Sequence, residues 1–158
     1  MPDKVKITID GKELEVNSGQ TVLQAALDNG IEIPHFCYHG GLSIAGNCRM
    51  CAVEIEGAPK LSISCNEFVR DGLVIDTKSD KVQKARAAAL EFLLINHPLD
   101  CSVCDKAGEC MLQDQTYEHR KFPNEGHVES RMELSKHVPT TKELGPNLWI
   151  WANRCIHC

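Results

Sequence analysis

Nine cysteines fall into three groups: Cys37, Cys48, Cys51 and Cys65; then Cys101, Cys104 and Cys110; then Cys155 and Cys158. Each group contains a C-x2-C pair, and this clustering constrains the chain more than any other feature. Buried structural cysteine usually occurs singly, as a small hydrophobe. The opening residues, MPDKVKITID, lack the basic-then-apolar pattern of a secretory signal. A reducing compartment is therefore expected, where disulfides are rare, and the odd count also fits disulfides poorly. The groups read as metal sites. The densest stretch is HPLDCSVCDKAGEC at 97–110, in which His97 joins three cysteines as H-x3-C-x2-C-x5-C. Pro98 and Gly108 bend the backbone between these soft ligands, so the chain is expected to wrap around a metal centre with His97 as one ligand.

Length and charge narrow the partners. A chain of 158 residues has room for one medium domain or two small ones. The formal charge of -5, with no long Lys/Arg run, argues against a nucleic-acid partner. The longest apolar run, AAALEFLLI at 88–96, is too short to span a bilayer and carries Glu91. The chain is thus read as soluble, with any membrane association made through partners.

Taken in order, residues 4–16 alternate apolar and polar on both sides of Asp10-Gly11, which predicts a hairpin with a tight turn. Thr21 can cap a short helix carrying Val22, Leu23, Ala26 and Leu27 on one face, with Gly30 as its stop. A hairpin followed by one helix suggests an α+β unit with a mixed sheet. Residues 31–51, with Pro34, Gly40, Gly41 and Gly46, predict a long functional loop. Its glycines allow close backbone approach, and neighbouring N–H groups can face a negatively charged object. Strands are predicted at 52–56, 61–65 and 72–77. A helix is predicted over 79–96, capped by Ser79 or Asp80, with Val82, Ala85, Arg86, Ala89, Leu90 and Leu93 at helical spacing; it ends before Pro98 and delivers His97 to the second site. A short helix near 111–119 and a mostly irregular connector to 147 follow. His119, His127 and His137 are expected to be solvated. Trp149 and Trp151 in LWIWAN suggest a chain re-entering packed structure.

The first four cysteines are spaced C-x10-C-x2-C-x13-C. A zinc site usually pairs two short knuckles, or a knuckle with histidines. One knuckle, one loop cysteine and one remote cysteine suit a [2Fe–2S] cluster instead, whose four thiolates leave the oxidised site near about -2. The Gly-rich loop can offset that charge. His35 and His39 flank Cys37 and are read as surface or shielding residues, because four thiolates already complete the set. At the second site spacing leaves two readings open, a structural Cys3His zinc and a [4Fe–4S] cluster. At the third, Cys155 and Cys158 are two thiolates of an incomplete set, and His157 between them is expected to face away.

The segments LSIAGNCRMCAVEIEG, HPLDCSVCDKAGECMLQDQTYEHR and NRCIHC together resemble the N-terminal part of the 75-kDa iron–sulfur subunit family of NADH–quinone oxidoreductase, respiratory complex I. The resemblance covers essentially the whole chain. It implies a β-grasp [2Fe–2S] ferredoxin domain at 1–78, a small helical His/Cys3 [4Fe–4S] module with its connecting helix at 79–120, and a connector with the truncated start of a further [4Fe–4S] domain at 121–158. It assigns Cys37, Cys48, Cys51 and Cys65 to the [2Fe–2S] cluster and His97, Cys101, Cys104 and Cys110 to a [4Fe–4S] cluster, deciding iron over zinc. Cys155 and Cys158 match the first two ligands of another [4Fe–4S] cluster, which forms only if the chain continues.

The implied role is a one-electron relay from the flavin subunit toward quinone, within an NADH:quinone oxidoreductase (translocase). This chain is expected to have no catalytic site of its own and no Rossmann fingerprint for NADH or FMN. Implied partners are the other peripheral-arm subunits, including the flavin subunit. The implied location is the cytoplasmic face of the inner membrane, reached only through the complex. The equivalent region of an NAD-linked hydrogenase or formate dehydrogenase shares both modules and is the alternative. Metal analysis with EPR of anaerobically purified, dithionite-reduced protein should find iron and paramagnetic clusters; zinc without a signal would mean a structural module instead.

Overall fold

The structure is a computed structural model that describes residues 3–95, 97–98, 100–119 and 141–156. It divides into two compact units, Met1–Arg86 and Ala87–Cys158. In the first, β1 (Lys4–Ile9) and β2 (Lys12–Asn17) form the expected hairpin, in register from Lys4 against Asn17 to Ile9 against Lys12. Asp10 and Gly11 both take positive φ, +49° and +79°, which matches the right-handed twist of the two strands. The Asp10 carboxylate also accepts hydrogen bonds from the Thr77 N–H at 2.7 Å and the Thr77 hydroxyl at 2.6 Å. One residue thus makes the turn and ties it to the end of a strand far along the chain.

Three further strands complete a mixed sheet: β3 (Ala52–Ile55), β4 (Ser62–Ile63) and β5 (Leu73–Asp76). The order is β2-β1-β5-β3-β4, with β1 and β5 parallel and the other pairs antiparallel. Alternation along the strands sends Ile7, Ile9, Val16, Val53, Ile55, Leu73 and Ile75 into one core.

The helix α1 (Val22–Asp28) packs Val22, Leu23, Ala25 and Ala26 into this core. Thr21 caps it in a reciprocal box with Gln24, and the chain leaves past Asn29 through Gly30 at φ +70°. Leu27, expected on the buried face, is 40% exposed, and Ala25 takes its place. A helix this short presents a face only two turns long, so the first-turn residues dominate its packing.

The helix α2 (Asp80–Leu94) crosses the boundary between the units. Val82, Arg86 and Leu90 are buried at the predicted spacing. Arg86 is tolerated inside because Nη2 donates to the Ala52 carbonyl at 3.2 Å. The ion pair Lys81–Glu54 joins the same helix to β3 on the exposed side.

In the second unit a short 3-10 turn at Cys101–Val103 precedes α3 (Met111–His119), the helix expected there. Three expectations are corrected. The His119 side chain is only 7% exposed, not solvated; it lies on the last turn of α3 and shares that helix's packing. His127 and His137 lie outside the described residues. The stretch before the tryptophans is not all irregular: β6 (Lys142–Gly145) and β7 (Leu148–Ile150) form an antiparallel hairpin. The tryptophans do not enter a core either, since Trp149 is 60% and Trp151 46% exposed. Among the described residues these strands pair only with each other, so their faces gain no second layer.

Leu23 is fully buried at the junction of α1 and the sheet. Leu23→Ala should lower the unfolding free energy by about 2–5 kcal/mol, seen as a reduced urea midpoint with unchanged slope.

Candidate metal centres

The first centre is assembled by the start of α1. The N–H groups at a helix start lack partners within the helix. Here Val22 N–H donates to the Glu67 carbonyl at 2.7 Å and Leu23 N–H to the Ser64 carbonyl at 3.0 Å, while Val69 N–H donates back to Gln20 O at 3.0 Å. The segment carrying Cys65 is thereby clamped onto the helix. From the other side, Ser64 N–H donates to the Cys51 carbonyl at 2.9 Å, continuing the β3–β4 ladder. Cys51 and Cys65 are both 1% exposed and their thiols are in hydrogen-bond contact.

Cys37 and Cys48 come from the long loop, which has no regular element between α1 and β3. Cys48 N–H donates to Cys37 Sγ at 3.4 Å. Burial raises the Cys37 thiol, but N–H groups of Cys48, Asn47 and Gly46 directed at its sulfur, with the Cys48 thiol, outweigh this and leave its pKa lowered. Cys48 is pushed the other way by deeper burial, against N–H donors from Cys37, Phe36 and Met50. Gly46 and Arg49 both take left-handed φ, +63° and +62°. For Arg49 this costs about 1–2 kcal/mol, and the two turns place the N–H groups on the sulfur side. At Gly46 a Cβ would also lie 3.1 Å from Ile63 Cδ1.

The four thiols are therefore arranged two by two, Cys37 with Cys48 and Cys51 with Cys65. The Cys65 thiol is pushed up to about 12, by burial first and then by Cys51, Cys37 and Cys48. Four sulfurs at one place, with N–H donors aimed at two of them, make a site that protons alone fill poorly. Among the described residues, no group of three or more His, Cys, Asp or Glu side chains is drawn closely enough to hold one metal ion. Two pairs suit a two-metal centre, because each iron of a [2Fe–2S] cluster takes two protein ligands. The donor chemistry fits.

His35 and His39 are engaged by their own loop neighbours. His35 Nδ1–H donates to the Ile33 carbonyl at 2.7 Å and its ring meets Tyr38 edge-on at 5.8 Å. His39 Nδ1 accepts from Gly41 N–H at 3.1 Å on the exposed surface.

The second centre is a run of tight turns. His97 N–H donates to Leu94 O at 3.2 Å, Val103 N–H to Asp100 O at 3.0 Å, Cys104 N–H to Cys101 O at 3.2 Å and Ala107 N–H to Cys104 O at 3.1 Å. Gly108 at φ +88° reverses the chain before Cys110, whose carbonyl accepts from Asp114 N–H in the first turn of α3. Burial lowers the His97 pKa, Asp100 raises it and Arg154 lowers it again, for a net decrease. The imidazole is thus neutral at pH 7, the form that can ligate a metal. Cys101 is exposed, and Cys104 and Cys110 are half-buried.

Arg154 was not foreseen as part of this centre. It pairs with Asp100 at 2.9 Å and stacks on Trp151. Its one sequence signal is its position immediately before Cys155 in the third cysteine group. Cys155 is half-buried; His157 and Cys158 lie outside the described residues.

A mixed sheet and an N–H-rich loop that together carry four cysteines, with a turn bearing His97 and three more, agree with an iron–sulfur protein, and similarity to known families shows that class. The chain belongs to the 2Fe-2S iron–sulfur cluster binding domain family, which it matches over residues 2–80. Residues 86–121 match the NADH-ubiquinone oxidoreductase-G iron–sulfur binding region. Over 98% of its length the chain is 50% identical to the G subunit of NADH-quinone oxidoreductase from Rickettsia bellii, covering 22% of that protein. It is 49% identical over 98% of its length to the NADH-ubiquinone oxidoreductase 75 kDa subunit of Reclinomonas americana, covering 21%. It thus spans about a fifth of the length of these curated relatives. A solved structure of an NAD+-reducing [NiFe]-hydrogenase in the H2-reduced state superposes with a TM-score of 0.82 at 32% identity, covering 98% of this chain and 62% of that one. No helix among the described residues is long and apolar enough to cross a membrane.

If Cys37, Cys48, Cys51 and Cys65 hold a [2Fe–2S] cluster, Cys65→Ser should abolish or strongly weaken its EPR signal while sparing the other cluster, because Cys65 is the one member of that set that follows β4. An unchanged signal would mean a different ligand set.

Proposed function

We propose that this chain is an electron-relay component of an NADH–quinone oxidoreductase, and that it passes single electrons from a flavin-bearing subunit toward quinone. The observation that carries this reading is the 50% identity to a G subunit of that enzyme over 98% of the chain, with both ligand sets inside the matched length. On this reading residues 1–78 are a β-grasp ferredoxin domain with Cys37, Cys48, Cys51 and Cys65 holding a [2Fe–2S] cluster. Residues 79–120 hold a [4Fe–4S] cluster through His97, Cys101, Cys104 and Cys110. Residues 121–158 begin a further domain, with Cys155 and Cys158 as the first ligands of a third cluster. The chain then sits at the cytoplasmic face of the inner membrane through the complex.

When bound, the clusters supply outer-sphere one-electron transfer; the chain positions and tunes them. The N–H groups of Gly46, Asn47 and Cys48 offset the negative charge of the Cys37 thiolate, and those of Phe36, Cys37 and Met50 do so for Cys48. Cys51 and Cys65 lie in the core, where few donors and little water reach them. The two halves of the site therefore differ in polarity. At the second site the neutral His97 imidazole contributes a lone pair and no charge, so the set carries one negative charge fewer than four thiolates would.

The likeness to the hydrogenase structure favours a second reading, the corresponding part of an NAD-linked hydrogenase. The gene sequence continuing past Cys158 separates them, since a hydrogenase or catalytic molybdenum domain would sink the first reading. In the assembled complex, NADH should reduce the chain's EPR-visible clusters. Clusters reduced by dithionite but never by NADH would remove the chain from the electron path. His97→Cys should keep a [4Fe–4S] cluster and lower its midpoint potential by on the order of 100 mV; an unmoved potential would mean that His97 is not a ligand.

A further inference from the structure

Arg154 stands next to the first cysteine of the third group, but its side chain belongs to the second centre. Nη2 donates to Asp100 Oδ2 at 2.9 Å, and Asp100 lies in the chain between His97 and Cys101. The guanidinium carbon is 4.8 Å from the centroid of the Trp151 ring, and the Arg154 N–H donates to the Trp151 carbonyl at 3.1 Å. The side chain is 19% exposed, and its Nε is shut off from solvent with no hydrogen-bond partner among the described residues. The charge is felt at His97, at Cys104 and at Asp105. A carboxylate at its edge and an indole over its plane hold the guanidinium in one orientation, which a lysine could not reproduce in both respects.

We propose that Arg154 is a positioning and charge-compensating residue of the His97–Cys110 centre: anchored by Asp100 and Trp151, it holds a permanent positive charge beside His97 and Cys104 that raises the reduction potential of the cluster bound there. The inference rests on the ligand set of the proposed function. A cluster that accepts an electron gains one negative charge, and a fixed cation nearby stabilises that state over the oxidised one. The guanidinium stays charged throughout the working pH range, so the effect needs no proton exchange. Asp100 offsets part of it, and its retention after loss of Arg154 would push the potential further down. Because Cys155 directly follows Arg154, the same anchor also sets where the third cysteine group begins.

The test is an EPR redox titration of the assembled complex carrying Arg154→Gln or Arg154→Lys, with dithionite supplying electrons through mediator dyes. Arg154→Gln should retain the [4Fe–4S] signal but shift its oxidised-to-reduced ratio about tenfold toward oxidised at fixed ambient potential, equivalent to 59 mV for one electron. Arg154→Lys should recover part of that shift, because the charge returns without the stacked anchor, whereas a purely structural role would predict no such charge-dependent recovery. The [2Fe–2S] signal reports the amount of folded chain. A retained signal with an unmoved ratio in Arg154→Gln overturns the proposal. Where that variant loses the cluster, the comparison is made between Asp100→Asn and Asp100→Asn with Arg154→Gln, where an amide pair replaces the ion pair. The same tenfold shift supports the proposal and an equal ratio overturns it. Failure of the ligand reading looks different: wild-type protein would show no [4Fe–4S] signal that responds to His97→Cys, and both conclusions would fall together.

Discussion

The first centre depends on two backbone N–H groups at the start of α1. Val22 and Leu23 have no helical partners for these donors and satisfy them on the carbonyls of Glu67 and Ser64. Leaving such donors buried and unpaired costs about 1–3 kcal/mol each, so the segment 64–67 is held firmly on the helix. Cys65 rides on that segment, and Cys51 meets it through the Ser64–Cys51 backbone bond. The sheet thus offers a rigid, dry pair of thiols. The loop needs only to bring a second pair to them.

Charge compensation then divides the labour between elements. The loop pair, Cys37 and Cys48, receives backbone N–H donors, which the left-handed residues Gly46 and Arg49 help to aim. The sheet pair receives burial. At the second centre the proposed ligand set would carry less charge because the His97 imidazole is neutral, and a side-chain cation, Arg154, is paired with Asp100 on the same turn. On the proposed ligand sets, charge compensation comes from the backbone in one unit and from side chains in the other. The difference follows from local structure: a long glycine-containing loop exposes N–H groups, whereas consecutive tight turns at 97–110 spend theirs on their own carbonyls.

Much of this was legible beforehand because it is encoded locally. The Asp10-Gly11 turn, the Thr21 cap, the helical spacing of Val82, Arg86 and Leu90, and the short helix after Cys110 all depend on residues a few positions apart. The errors fell where packing outweighs pattern. Leu27 lost the core to Ala25, the His119 side chain is largely covered, and Trp149 in the hairpin and Trp151 just after it remained exposed. Aromatic content signals a wish for burial, but a two-stranded ribbon has no layer to provide it.

The sequence by itself determined which donors exist and in what groups, since ligand chemistry and short spacings are properties of the chain. It also determined the sign of the problem, an excess of negative charge to be offset. Only the tertiary structure decided which thiol pairs with which, that Cys65 belongs with Cys51 and Cys37 with Cys48. It alone brought Arg154 to Asp100, 54 residues away. These pairings come from closing long loops onto a packed sheet or turn, and the free energy of closure depends on everything between the partners, which no local spacing records.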